Sequence, residues 1–236
     1  MPTLYANPYA NAPGFYFEDE DDYTKKMKKV RWEDHSIEFI DGDALELLAF
    51  NAFGRGGPMG GNLSVFFDLV EEDPETIIAF DYLSGTLGYS VEDALEKMGA
   101  LVVVQASAED YVYDMVHDDG IMPTNPDFYF DMESFGRDIR TDAVLEPDPE
   151  AYDDGEDDED YIADLEEIDL LSDEEYGWQY VEGAYGDLEG MAKETPQIIL
   201  DYFDVSALTR DMKINGEIDE VTVDGSDYAI TNALGI

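Results

Sequence analysis

A chain of 236 residues with 59 acidic and 12 basic side chains carries a formal charge of -47, while 44% of its residues are hydrophobic and 13% aromatic. That apolar content buries enough surface to offset chain entropy, which excludes a disordered acidic tail, and the charge repels nucleic acid and anionic membranes, whose binders present Lys and Arg. With no cysteine there are neither disulfides nor thiolate metal sites, so a reducing cytosol is the expected compartment.

The N-terminal stretch "MPTLYANPYANAPGFYF" is broken by Pro2, Pro8 and Pro13 and lacks a basic segment and an apolar run. It reads as neither a signal peptide nor a membrane span. "TLYAN" and "GFYFE" read as extended, followed by a helix from about Asp19 to Val30 and a strand at "SIEFID". Acids open that helix and Lys25, Lys26, Lys28 and Lys29 close it, the arrangement the helix dipole favours, so the basic cluster is read as helix-end stabilisation. From "ALELLAFNAF" to "NLSVFFDLVEEDPETIIAFDYL" the apolar spacing is helical, with "GRGGPMGG" as a flexible linker and Pro74 opening a helix. "LVVVQA" reads as a buried strand, and "SAEDYVYDMVHDDG" as a helix that starts near Ser107 and stops at Gly120.

One unit occurs twice. "YFDMESFGRDI" from Tyr129 to Ile139 and "YFDVSALTRDM" from Tyr202 to Met212 share Tyr-Phe-Asp, then an apolar position, then Arg-Asp and another apolar residue. Each follows a helical, aromatic-rich segment that ends near glycine. Between the copies, Glu146 to Glu175 holds seventeen acids in thirty residues with no Lys or Arg. Pro147, Pro149 and Gly155 make it a solvated loop to about Asp160, after which "YIADLEEIDLL" fits helix or strand. Ser172 and Glu175 form a capping box, and "EIDEVTVDGSDYAITNA" reads as a hairpin turning at Asp224-Gly225.

The chain offers no specific catalytic motif. The glycines from Gly54 to Gly61 fail both phosphate-loop templates. His35 and His117 stand in no metal-ligand spacing, and the acid-flanked glycines fail the EF-hand pattern. Paired carboxylates are everywhere, and therefore single out no general acid. No catalytic residue, metal or cofactor is assigned.

Duplex DNA carries one charge per about 1.7 Å of axis, so 47 net charges equal those on roughly 80 Å of duplex. A site that holds DNA through Lys and Arg gains affinity largely from counterion release, whether the anions are phosphates or carboxylates. An acid-coated halophilic protein and an acidic chaperone or binding partner of basic proteins are the alternatives. Self-repulsion on this scale favours an elongated shape.

"TLYANPYA", "GFYFE", "EFIDGD" and above all "YVEGAYGDLEGMAKETPQIILDYFDVSALTRDM" resemble the ArdA antirestriction proteins of plasmids, transposons and phages. The matching positions are Leu4 and Tyr5, then Tyr202, Phe203, Asp204, Ala207, Leu208, Arg210, Asp211 and Met212. The resemblance implies a non-catalytic DNA mimic in the cytoplasm of a bacterial host. Its implied partner is the DNA-binding groove of a Type I restriction-modification enzyme or a similar DNA-binding defence enzyme, with no nucleic-acid or membrane partner. It also implies a homodimer through the C-terminal domain. This chain departs from the pattern by carrying the C-terminal unit twice, so the second copy packing on the first within one chain stands beside the dimer.

The expected fold is α+β, an elongated chain of small mixed α/β and helical domains with a highly acidic surface. The expected segments are an α+β domain at 1–55, a helical domain at 56–100, a first C-terminal-type unit at 101–145, an acidic linker at 146–171 and a second unit at 172–236. The candidate partner-binding acids are Glu18, Asp19, Glu20, Asp21, Asp22, Glu71, Glu72, Asp73, Asp118, Asp119, Asp153, Asp154, Glu156, Asp157, Asp158, Glu159 and Asp160.

Overall fold

The computed structural model describes residues 1–9, 11–31, 34–59, 61–118, 120–145 and 171–231. It is mixed α and β, with two small antiparallel sheets. The chain divides into two compact units, Met1–Ala108 with Met212–Ile236, and Glu109–Asp211.

In the first unit, β1 (Thr3–Pro8) is the middle strand of a sheet with β2 (Phe15–Phe17) and β3 (His35–Asp41) at its edges. Side chains alternate across a strand, so Leu4 and Ala6 face inward with Phe17 and Ile37. The helix α1 (Glu20–Met27) starts at Asp19, whose carboxylate accepts the Asp22 N–H. Its Tyr23 packs on Phe17, with ring centroids 4.9 Å apart, and lies within hydrogen-bond distance of the His35 Nε2, at 2.7 Å. Then α2 (Ala44–Ala52), α3 (Asn62–Leu69) and α4 (Pro74–Asp81) close over the sheet through Phe50, Phe53, Phe66 and Phe80.

After α4 the chain widens into a π turn at Tyr82–Thr86, then forms α5 (Val91–Lys97) and β4 (Val102–Val104). A second sheet has the order β4, β6 (Ser226–Thr231), β5 (Ile218–Val223). Its hairpin turns at Asp224 and Gly225, both at positive φ, 50° and 79°, as a two-residue primed turn requires. Val223, Tyr228 and Ile230 of this sheet join the same buried cluster as Leu4, Phe66 and Phe80. One core therefore runs through residues placed by the sequence in three separate segments, because burial follows the sheet pairing of distant strands rather than chain order.

Two local expectations need correction. "LVVVQA" is not a buried strand: among the described residues β4 pairs only with β6, and as an edge strand it leaves Val102 and Val104 exposed. Nor is "GRGGPMGG" merely a flexible linker. Gly57 and Pro58 are buried, the Gly56 carbonyl accepts the Ile37 N–H at 2.9 Å, and a Cβ on Gly57 would lie 2.8 Å from the Ile37 carbonyl oxygen. The glycines let this loop lie against β3.

The second unit is helical: α6 (Ala108–His117, whose first residue belongs to the other unit), α7 (Met132–Leu145), α8 (Asp173–Ala184), α9 (Leu188–Glu194), α10 (Pro196–Tyr202) and α11 (Val205–Asn215, inside which the unit ends). α7 and α8 meet at glycines. A Cβ on Gly136 would stand 1.8 Å from the Asp173 carbonyl oxygen, and one on Gly177 3.2 Å from the Gly136 Cα. Arg140 fastens the same crossing: it stacks over Tyr176 at 4.9 Å, pairs with Asp173 at 3.1 Å and donates to the Leu171 carbonyl.

The two Tyr-Phe-Asp repeats lock onto each other reciprocally. Phe130 and Phe203 face each other in an isolated antiparallel bridge. The Asp131 N–H donates to the Tyr202 carbonyl at 2.8 Å, and the Asp204 N–H to the Tyr129 carbonyl at 2.7 Å. Asp131 caps α7 by accepting the Ser134 N–H, as Asp204 caps α11 by accepting that of Ala207. The Tyr129 hydroxyl donates to Asp211 at 3.1 Å and the Tyr202 hydroxyl to Asp138 at 2.8 Å. Residue i of one copy thus meets j of the other while j meets i, which is the contact pattern of a two-fold interface, here within one chain.

Candidate partner-binding surface

Of the acids assigned to the surface, Glu18, Asp19, Glu20 and Asp21 are exposed and Asp22 is half-buried. Asp19 is the cap of α1, while Asp22 pairs with Lys26 at 2.6 Å and Asp21 with Lys25 at 3.9 Å. Lys26 also donates to the Tyr16 carbonyl, so part of the basic cluster ties the helix to its own acids and to β2. Glu71, Glu72 and Asp73 are exposed between α3 and α4. Asp73 accepts the Thr76 N–H, which holds its carboxyl below the usual carboxylate range. Asp118 is exposed after α6 beside His117. Among the described residues, no hydrogen bond or ion pair joins the acids from Glu18 to Asp22 to those from Glu71 to Asp73. Asp119, Asp153, Asp154, Glu156, Asp157, Asp158, Glu159 and Asp160 lie outside the described residues.

Many acids sit where a helix begins. Asp19, Asp43, Asp73, Asp131, Asp187 and Asp204 each accept a backbone N–H three residues on. A capping carboxylate is fixed by the backbone rather than free on a flexible stem. The Ser134 N–H holds the Asp131 carboxyl below the ordinary range in this way, and Glu175, which accepts from the N–H and the hydroxyl of Ser172 three residues earlier, is lowered likewise.

Sequence reading gave no reason to single out Asp81. Burial pushes this carboxyl up to about 6. Its Oδ1 lies 2.8 Å from the position a Cβ would take on Gly85, so the π turn folds over it. It lines a cavity of about 260 Å³ with Asp219 and Glu220. Those two acids are already engaged: Asp219 accepts from the Tyr82 hydroxyl, and Glu220 accepts from the Ala108 N–H and pairs with Lys213. The cavity thus holds one carboxyl able to keep a proton near pH 6, beside two carboxylates occupied structurally.

His35 is buried and lies beside the Tyr23 hydroxyl, and His117 stacks on Tyr113. Among the described residues no group of three or more His, Cys, Asp or Glu is placed to hold a metal ion, and no helix is long and apolar enough to cross a membrane. Comparison with protein-family models, with curated proteins and with solved structures gives no match to this chain.

Proposed function

We propose that the chain is a non-catalytic antirestriction protein of the ArdA type, a DNA mimic that occupies the DNA-binding groove of a Type I restriction-modification enzyme or a similar DNA-binding defence enzyme. The observation that carries this reading is the charge of -47 on a chain with the core of an ordinary globular protein, together with carboxylates held in place as helix caps. Fixed anions lose less entropy on binding than mobile ones. A Lys- and Arg-lined groove gains from releasing its counterions whichever anion arrives.

The reading requires an elongated particle whose acids follow a stripe on its surface. It also gives the paired repeats a role: the reciprocal contacts of Tyr129 with Asp211 and Tyr202 with Asp138 supply inside one chain a two-fold contact that a dimer would make between chains, so the active form is a monomer. The test is inhibition of DNA cleavage and methylation by a purified Type I enzyme across a salt series. Inhibition that weakens steeply with salt supports the proposal, and inhibition that ignores salt refutes it.

A further inference from the structure

Two open hollows in the second unit, of about 490 and 560 Å³, share Trp178 and Asp127. The floor of the first is the buried pair Val181 and Leu188, and Asp127 and Glu182 stand exposed around it. Neither carboxylate forms a hydrogen bond or ion pair among the described residues, and neither lining includes Lys or Arg. Trp178 is half-buried and packs against no other ring among the described residues. Beside it, in the second hollow, Phe128 is 81% exposed.

Imitation of a phosphate backbone does not account for this patch. An exposed phenylalanine and an unstacked tryptophan contribute no negative charge, and large aromatics of this kind anchor protein interfaces. The chemistry they present is selective. A tryptophan face attracts a cation, and more so a planar one that stacks, while a neighbouring carboxylate accepts the two parallel N–H groups of a guanidinium.

We infer that the hollow at Trp178 receives an arginine side chain of the partner protein, stacked on the indole with its fork on Asp127 or Glu182, and that Phe128 packs against the apolar surface around that arginine. The source of the arginine, a DNA-binding cleft, rests on the function proposed above. The hollow's preference for guanidinium does not.

The experiment uses the full chain carrying Trp32→Phe, which leaves Trp178 as the only tryptophan of the two. Its fluorescence is titrated with acetyl-Gly-Arg-Gly-amide, and with the lysine and citrulline counterparts. The expected result is a saturable change with the arginine peptide, binding about tenfold weaker for lysine, and no response to citrulline. Adding Asp127→Asn with Glu182→Gln abolishes the arginine response, while far-UV circular dichroism shows the fold unchanged. No saturable response, or arginine and lysine binding equally and unaffected by the double substitution, overturns the inference. Arginine binding without inhibition of any DNA-binding enzyme keeps the hollow and removes the proposed function. Inhibition without arginine binding does the reverse.

Discussion

Replacing Asp81 with Asn is expected to stabilise the protein at neutral pH, although Asp81 belongs to a helix and to the lining of a cavity. In the unfolded chain its carboxyl titrates at its ordinary value of 3.8, and in the fold burial moves it to about 6. The folded state therefore binds the proton more tightly, so the charged group opposes folding in full above about pH 6, and the cost disappears as pH falls toward 3.8. About two pH units at about 1.4 kcal/mol each set a ceiling of about 3 kcal/mol. Asp81 is only partly enclosed, so solvent screening brings the expectation to about 1–2 kcal/mol. Urea unfolding of wild type and Asp81→Asn should show the variant more stable at pH 7, with a melting temperature higher by about 2–8 °C. The difference should fall to about half by pH 5. A variant equal to or weaker than wild type at pH 7, or a gain that stays constant with pH, would refute the burial argument.

Asp73 carries the opposite sign. Its carboxyl is held low by the Thr76 N–H, so its contribution is present at neutral pH and fades as the acid protonates; Asp73→Ala should cost about 1 kcal/mol at pH 7 and less in acid, read by the same urea series. Gly136→Ala gains about 1 kcal/mol of helix propensity on paper, yet its Cβ would meet the Asp173 carbonyl at 1.8 Å; the net result should be a loss of about 1–3 kcal/mol in thermal melts. Tyr129→Phe and Tyr202→Phe remove equivalent hydroxyl–carboxylate bonds and should each cost about 1 kcal/mol, equal within about 0.5. A large inequality in chemical denaturation would mean that the repeats are not energetically matched.

Much of the fold was legible because local signals agree with the tertiary structure. The period-2 run "TLYAN" is β1, Pro74 sits at the first position of α4, Asp224-Gly225 turns the last hairpin, and Ser172 with Glu175 forms the expected capping box. What stayed hidden depends on distant partners. β4 lies at a sheet edge because its neighbour β6 comes from the far end of the chain, and no local pattern in "LVVVQA" distinguishes an edge from a centre. The repeats could be seen, but not that each tyrosine would reach the other copy's Arg-Asp pair. Among the candidate acids, sequence could name clusters by density alone. It could not separate Asp22, which faces Lys26, from Glu20, which has no ion pair among the described residues, nor find the hollow at Trp178, whose lining comes from Met122 through Glu189.

The charge itself is the most direct point of attack. A purified Type I restriction-modification enzyme would be immobilised and its affinity for the chain measured between 50 and 200 mM salt, with and without an unmodified duplex carrying its recognition sequence. If the carboxylates replace phosphates, affinity falls about a thousandfold or more over that range and the duplex and the chain exclude one another. Binding that is indifferent to salt, or a ternary complex in which enzyme holds both, would contradict the account.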